Sequence, residues 1–192
     1  MLSMTHVDSG LSLEMMERER ATVAFPSFPT VTAALIAHPD FRTRDLSSIR
    51  RLNNVAPPDV LRQFQEAFPQ AVQTGAYGLT EAGGVIAFNH PDESLETRLT
   101  TCGQPMPGLE AKVVNPETGA GCAPGEKGEI LLRGYAIFKG YYKSPNKNAE
   151  AFEEGWFKTG DLCAMTSNGE IEFHGRIKDM LKVGGENVAA IE

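Results

Sequence analysis

The first 111 residues contain no lysine; Lys112 is the first, and arginine alone supplies permanent positive charge before it. A Walker-type phosphate loop needs a lysine among glycines, so that half of the chain holds none. Cysteine is scarce as well: Cys102, Cys122 and Cys163 are odd in number and far apart, with no Cys-x-x-Cys pair. A zinc site is excluded on those grounds, and the thiols read as separate buried side chains in a reducing compartment. No long apolar run is present. The longest stretch free of Asp, Glu, Lys and Arg, Ala21 to Pro39, is broken by Pro26 and Pro29 and diluted by Ser27, Thr30 and Thr32. A membrane span needs about 20 predominantly apolar residues, so none is expected. No basic segment leads into an apolar run at the N-terminus, which gives no signal peptide and the cytoplasm as the default. Excess positive charge is also lacking: the net charge is −7. Nucleic acid and anionic membrane surfaces would repel such a chain, so neither is expected as a partner. A nucleotide needs only a local cluster of donors and stays open.

What is present reads as a soluble globular chain, 41% hydrophobic and 22% charged over 192 residues, long enough for one or two domains. Apolar positions Leu13, Met15 and Met16 among charges predict a helix over Leu11–Arg20. A buried strand is expected over Ala21–Phe25 and a helix over Thr30–Ala37. A short strand follows near Leu52–Val55, and Pro57-Pro58 opens a helix carrying Val60, Leu61, Phe64 and Phe68. Ala71–Gln73 reads as another strand. Alternating strands and helices imply an α/β layer with parallel pairing. Beyond about Gly84 the pattern changes to short strands with Gly, Pro and Asn punctuation. Strands are expected over Glu110–Val114 and Gly128–Arg133, and Asn168-Gly169 predicts a hairpin between Leu162–Met165 and Ile171–His174. The expected organisation is an α/β subdomain over 1–83, a β-rich subdomain over 84–174, and the start of a further domain over 175–192.

Four clusters carry chemistry: Tyr77-Gly78-Leu79-Thr80-Glu81, Gly128-Glu129-Ile130, Gly155-Trp156-Phe157-Lys158-Thr159-Gly160-Asp161, and Gly175-Arg176-Ile177-Lys178-Asp179. Tyr77 offers a flat ring for a base, Thr80 a hydroxyl for a phosphate oxygen, and Glu81 a hard carboxylate suited to Mg²⁺. Asp161 can accept hydrogen bonds from vicinal hydroxyls, and Arg176 adds a charged donor fork. Each cluster alone has a plainer reading. Tyr77 would be core and Glu81 solvated, Asp161 and Arg176 would form a surface ion pair, and Trp156 would anchor a turn.

Taken in order, the clusters closely resemble the adenylate-forming (AMP-binding) superfamily of acyl-CoA synthetases, luciferases and peptide-synthetase adenylation domains, over nearly the whole chain from Met15. The resemblance implies an α/β fold: part of the N-terminal domain of such an enzyme, with an α/β layer, a small β-rich subdomain and the start of the C-terminal α+β domain. It implies that Tyr77 and Gly78 meet adenine, Thr80 meets phosphate, Glu81 binds Mg²⁺, and Asp161 and Arg176 hold the ribose of ATP or AMP. Val55 and Ala56 would lie near the adenine. There the family's Gly-Gly-Ala-Pro-like stretch reads Asn53-Asn54-Val55-Ala56-Pro57. Lys178 falls at the family's domain hinge, and Lys182 with Gly184 and Gly185 falls in the loop that meets the pantetheine of coenzyme A. A tight turn before a strand is the plainer reading of that loop. Gly-Gly-Glu-Asn-Val at 184–188, in place of an Arg-Gly-x-Arg pattern, favours a coenzyme A ligase over an adenylation module serving a carrier protein. Small residues Gly75, Ala76, Gly83 and Gly84 would border the acyl pocket.

Two of the family's elements are absent from this sequence: the Ser/Thr/Gly-rich phosphate loop ending in lysine, and the adenylation lysine near the end of the C-terminal domain. The resemblance therefore implies a piece of an acyl-CoA synthetase acting on a carboxylic acid, ATP and coenzyme A, with little or no ligation by itself. Exposed core surface and a complementing chain or homo-oligomer are further expectations. A non-catalytic nucleotide-binding or interaction module built on the same core is the alternative.

Overall fold

The computed structural model describes residues 4–177, 180–183 and 186–189; Lys178, Gly184 and Gly185 lie outside the described residues. The chain packs as two compact units that interleave in sequence. One comprises residues up to 76 with 89–100, the other 77–88 with everything from 101 onward.

The first unit is a parallel α/β layer. Helix α1 (Ser9–Arg18) starts where Asp8 Oδ1 accepts from the Leu11 N–H at 2.8 Å, satisfying a donor that has no partner in the first turn. Strand β1 (Val23–Ser27) leads into helix α2 (Pro29–Ala37), which has proline in its first turn and stops at His38-Pro39. Strand β2 (Arg51–Asn54) is followed by α3 (Pro58–Ala67) and β3 (Val72–Thr74). The strands lie in the order β1-β2-β3, both pairs parallel, so α2 and α3 are the crossovers that parallel strands require. Leu13, Leu35, Ile49, Leu52, Phe64 and Phe68 form the core, joined by Leu99 of the short helix α4 (Leu95–Thr100). Three further buried side chains are polar and satisfy one another. Thr32 Oγ1 donates to Asn54 Oδ1 at 2.5 Å, and Asn54 Nδ2 donates to Gln73 Oε1 at 3.0 Å. Val23, Phe25, Phe28 and Val55 are exposed.

The second unit is β-rich. Strands β4 (Ala76–Leu79), β5 (Gly84–Phe88) and β6 (Gln104–Pro105) form one small sheet. A larger antiparallel sheet runs β11-β10-β8-β7, from β7 (Leu109–Val114), β8 (Gly128–Gly134), β10 (Trp156–Met165) and β11 (Ile171–Arg176). Helix α5 (Pro145–Ala151) and the two-residue strand β9 (Phe152–Glu153) precede β10. Strands β12 (Met180–Val183) and β13 (Glu186–Ala189) pair antiparallel. Ile86, Ala87, Ile130, Leu132, Phe157, Cys163 and Ile171 fill the core.

The hairpin predicted at Asn168-Gly169 forms, with Met165 opposite Ile171. Helix α3 starts at Pro58, within the expected Pro57-Pro58 opening, and α2 (Pro29–Ala37) matches the expected Thr30–Ala37 within a residue. Strands β4, β5, β6 and β9 and the short helices α4 and α5 were not anticipated. The expectation of three buried thiols holds only for Cys163; Cys102 and Cys122 are partly buried, and all three are free. Burial pushes the Cys102 thiol up to about 11, which makes it an inert structural thiol at neutral pH. Trp156 is partly buried, and Lys112 Nζ and the Arg133 guanidinium each lie 4.4 Å from its ring centroid.

Candidate nucleotide site

The site begins with a fault in strand pairing. On β10, Lys158 faces Leu131 of β8, but Leu162 faces Glu129, so four steps on β10 match two on β8. Three residues, Thr159 to Asp161, stand against the single Ile130 and form a bulge. Gly160 takes a φ of 72°, a left-handed conformation that suits a residue without Cβ. Side chains stitch the bulge in place. Gly160 N–H donates to Glu129 Oε1 at 2.9 Å, Thr159 Oγ1 donates to the Ile130 carbonyl at 2.8 Å, and the Asp161 N–H donates to Thr159 Oγ1 at 3.0 Å. Asp161 lies inside a ten-residue strand, where the bulge re-aims it.

Two sequence-predicted residues meet at this carboxylate. Arg176 stands opposite Asp161 in the β10–β11 register, and its Nε lies 2.7 Å from Asp161 Oδ1. Tyr77 Oη donates to Asp161 Oδ2 at 2.6 Å. Although Arg176 Nε is at ion-pair distance, it is off the line that a hydrogen bond needs. Asp161 Oδ1 is thus a buried acceptor with a charge partner and no aligned donor. Oδ1 is enclosed in this structure, and Arg176, which lines the neighbouring groove, stands between it and a ligand hydroxyl. Burial raises the Asp161 pKa; Tyr77 and Arg176 act against the rise, and Glu81 adds to it. Burial likewise drives the Tyr77 phenol far above its ordinary value, so it remains a donor.

The Tyr77 ring differs from expectation. It is only 5% exposed and sits 6.0 Å from the Phe173 ring, so its face is covered here and its hydroxyl carries the polar contact. Gly78, next to it, is required by space: a Cβ would stand 1.8 Å from the Gly84 carbonyl oxygen. Thr80 and Glu81 lie on a single 3-10 turn, Thr80–Ala82, that Gly83 closes at a φ of 72°. Thr80 is exposed and Glu81 partly buried.

A groove of about 520 Å³ opens in this unit, lined among others by Glu81, Tyr141, Lys147, Glu150, Lys158 and Arg176. Mixed charge around an open groove suits a phosphate-bearing ligand with a counter-cation. Glu81 is a hard oxygen donor, and among the described residues no group of three His, Cys, Asp or Glu could hold a metal. The residues therefore fit a Mg²⁺ ion bound through one carboxylate and the phosphates of its ligand, rather than a cage built by protein alone.

Val55 is exposed and Ala56 partly buried, both in the first unit just after β2. Lys182 is in β12, while Lys178, Gly184 and Gly185 lie outside the described residues. Sequence reading missed the parts played by Glu129, Thr159 and Tyr141. Glu129 and Thr159 stood in noted clusters without a role, and the signal for Tyr141 was a glycine followed by two tyrosines in a loop.

Comparison with known proteins bears on the family and the fold. A model of the family "AMP-binding enzyme" matches residues 2–142. The chain is 33% identical over 196 residues to the mitochondrial medium-chain acyl-CoA ligase ACSF2 of Rattus norvegicus, covering 100% of this chain and 32% of that protein. It is 34% identical over 189 residues to a feruloyl-CoA synthase of an Amycolatopsis species, covering 96% of this chain and 37% of the relative. The chain thus spans about a third of the length of these curated relatives. Among solved structures, the amide bond synthetase McbA from Marinactinospora thermotolerans superposes with a TM-score of 0.85 at 30% identity, over 98% of this chain and 39% of that one. ATP-bound MatB from Rhodopseudomonas palustris gives 0.84 at 30% identity, over 97% and 37%. No helix among the described residues is long and apolar enough to cross a membrane. With a mixed α/β fold shared with adenylate-forming enzymes and a family match over most of its length, this chain belongs to the AMP-binding enzyme family.

Proposed function

We propose that the protein is an ATP-dependent, AMP-forming acyl-CoA synthetase and that this stretch handles the nucleotide. The observation that carries the reading is the Asp161 carboxylate, aimed by a bulge, paired to Arg176 and holding an acceptor oxygen with no aligned donor. A ribose offers the vicinal hydroxyls that such an oxygen would accept from once Arg176 gives way. Arg176, about half exposed, would donate to the same sugar. Tyr77 fixes the carboxylate through Oδ2 and would border the base, with Gly78 alongside. Thr80 would donate to a phosphate oxygen, and Glu81 would hold Mg²⁺, which neutralises phosphate charge when bound.

In the reaction proposed, a carboxylate attacks the α-phosphorus of ATP and pyrophosphate leaves. A coenzyme A thiolate then attacks the acyl carbon of the acyl-adenylate, and AMP leaves. Lys178 would serve at the hinge between these steps, and Lys182, Gly184 and Gly185 near the pantetheine arm. The names of the relatives, medium-chain acyl-CoA ligase and feruloyl-CoA synthase, support the acid–thiol ligase class and leave aliphatic and aromatic acids both open as substrates. For the 192 residues themselves the proposal commits to nucleotide binding. Titrating AMP and ATP with Mg²⁺ into the chain tests it. Saturable binding of both, with adenosine competing and ribose-free adenine competing poorly, is expected. Binding that adenine and adenosine compete for equally would refute the ribose role of Asp161 and Arg176.

A further inference from the structure

The loop between β8 and α5 meets the Thr80–Ala82 turn at two points. The Phe138 N–H donates to the Glu81 carbonyl at 2.8 Å, and Tyr141 Oη donates to Glu81 Oε1 at 3.0 Å. Tyr141 is itself held firmly. Its N–H donates to Asn148 Oδ1 at 2.7 Å, and Asn148 Nδ2 donates to its carbonyl at 3.1 Å. The Tyr141 ring stands edge-on to Phe138 with centroids 4.8 Å apart, and Phe138 in turn packs against Phe157 of the core at 5.3 Å. Gly140 makes the clasp possible: its φ is 135°, and a Cβ there would lie 2.9 Å from Asn148 Oδ1. A chain of fixed groups therefore runs from α5 through Tyr141 to one carboxylate oxygen on the rim of the groove.

We propose that Tyr141 is a positioning residue that holds Glu81 Oε1, so that Oε2 is presented to a divalent cation arriving with the nucleotide. The inference rests on the proposed metal role of Glu81. A free glutamate has several rotatable bonds, and restricting them before the ligand arrives removes that ordering cost from binding. The chemistry of the partner matters too. A neutral phenol fixes the carboxylate without cancelling its charge, whereas a lysine or arginine there would compete with the cation. Groups of this kind behind a metal ligand set its orientation and affinity.

The test is calorimetric titration of ATP into the 192-residue chain, in Mg²⁺ and again in EDTA, for the wild type, Tyr141→Phe and Glu81→Gln. Phenylalanine keeps the ring packing on Phe138, and thermal melting of each variant checks the fold. Tyr141→Phe is expected to lower the Mg²⁺-dependent gain in ATP affinity about tenfold, with a much smaller change in EDTA. A merely structural role would move both affinities together, and that result overturns the proposal. A gain kept in Tyr141→Phe but lost in Glu81→Gln overturns the positioning role alone. A gain absent from the wild type, or insensitive to Glu81→Gln, overturns the metal role of Glu81 and this inference with it.

Discussion

Both units bury polar side chains, and they do so in different ways. In the first unit Thr32, Asn54 and Gln73 are each fully buried and bond to one another in a closed series. Gln73 Nε2 ends the series on the Thr74 carbonyl at 2.7 Å. In the second unit Asp161 is just as buried, but one of its oxygens faces a half-exposed arginine with no aligned donor. A closed network specifies and stiffens a core, while an open one holds a group ready for something outside the protein. Asn53 Oδ1 in the first unit is also a buried acceptor with no aligned donor, so an open lone pair marks a candidate site only in company; at Asp161 that company is the charged, half-exposed Arg176.

The comparison can be broken at either end. The largest effect is expected from Gly78→Ala, where the new Cβ would meet the Gly84 carbonyl oxygen at 1.8 Å. Denaturant unfolding should show a loss of about 3 kcal/mol or more, felt in the second unit. Asn54→Ala should cost about 2 kcal/mol by orphaning Thr32 and Gln73, while nucleotide affinity stays within about twofold of wild type. A large affinity loss in Asn54→Ala would show that the first unit's network is not purely structural.

The smallest effects concern pH and have opposite signs in the two units. Glu17 is held below the ordinary glutamate range, first by the Asp45 N–H at 2.7 Å and then by Arg44 at 2.9 Å. A lowered folded pKa gives stability that is present above the ordinary range and lost as pH falls through the folded value. Asp161 is raised by burial, so the folded state binds a proton more readily than the unfolded chain, and stability declines as pH rises from the ordinary aspartate range through the folded value. Stability measured against pH should therefore fall off less steeply towards acid in Glu17→Gln than in the wild type. In Asp161→Asn the decline above the ordinary aspartate range should disappear. The same slopes in variant and wild type would contradict these assignments.

How much of this was legible in the sequence follows from how local each feature is. Helix α3 announces itself through its proline start and apolar spacing, α2 through the Pro39 stop, and the β10–β11 hairpin through Asn168-Gly169. That hairpin sets Met165 opposite Ile171, but a register shift between Leu162 and Cys163, which no motif records, is what puts Asp161 opposite Arg176. The bulge was not legible either, because it depends on how β8 and β10 fall out of step. Nor were the contacts of Tyr77 with Asp161 and of Tyr141 with Glu81. They span 84 and 60 residues, and no local pattern records them. The ring of Tyr77 read as a flat face for a base, yet packing beside Phe173 covers it.

The most direct test of the central claim is AMP affinity in the wild type and Asp161→Asn, measured by calorimetry with the fold of each checked by melting. Asparagine keeps the shape and loses the charge that Arg176 and a sugar hydroxyl would share. An affinity loss of about a hundredfold with the melting transition intact is predicted, in line with losing a hydrogen bond to a charged group. Equal affinity in the two proteins would contradict the account.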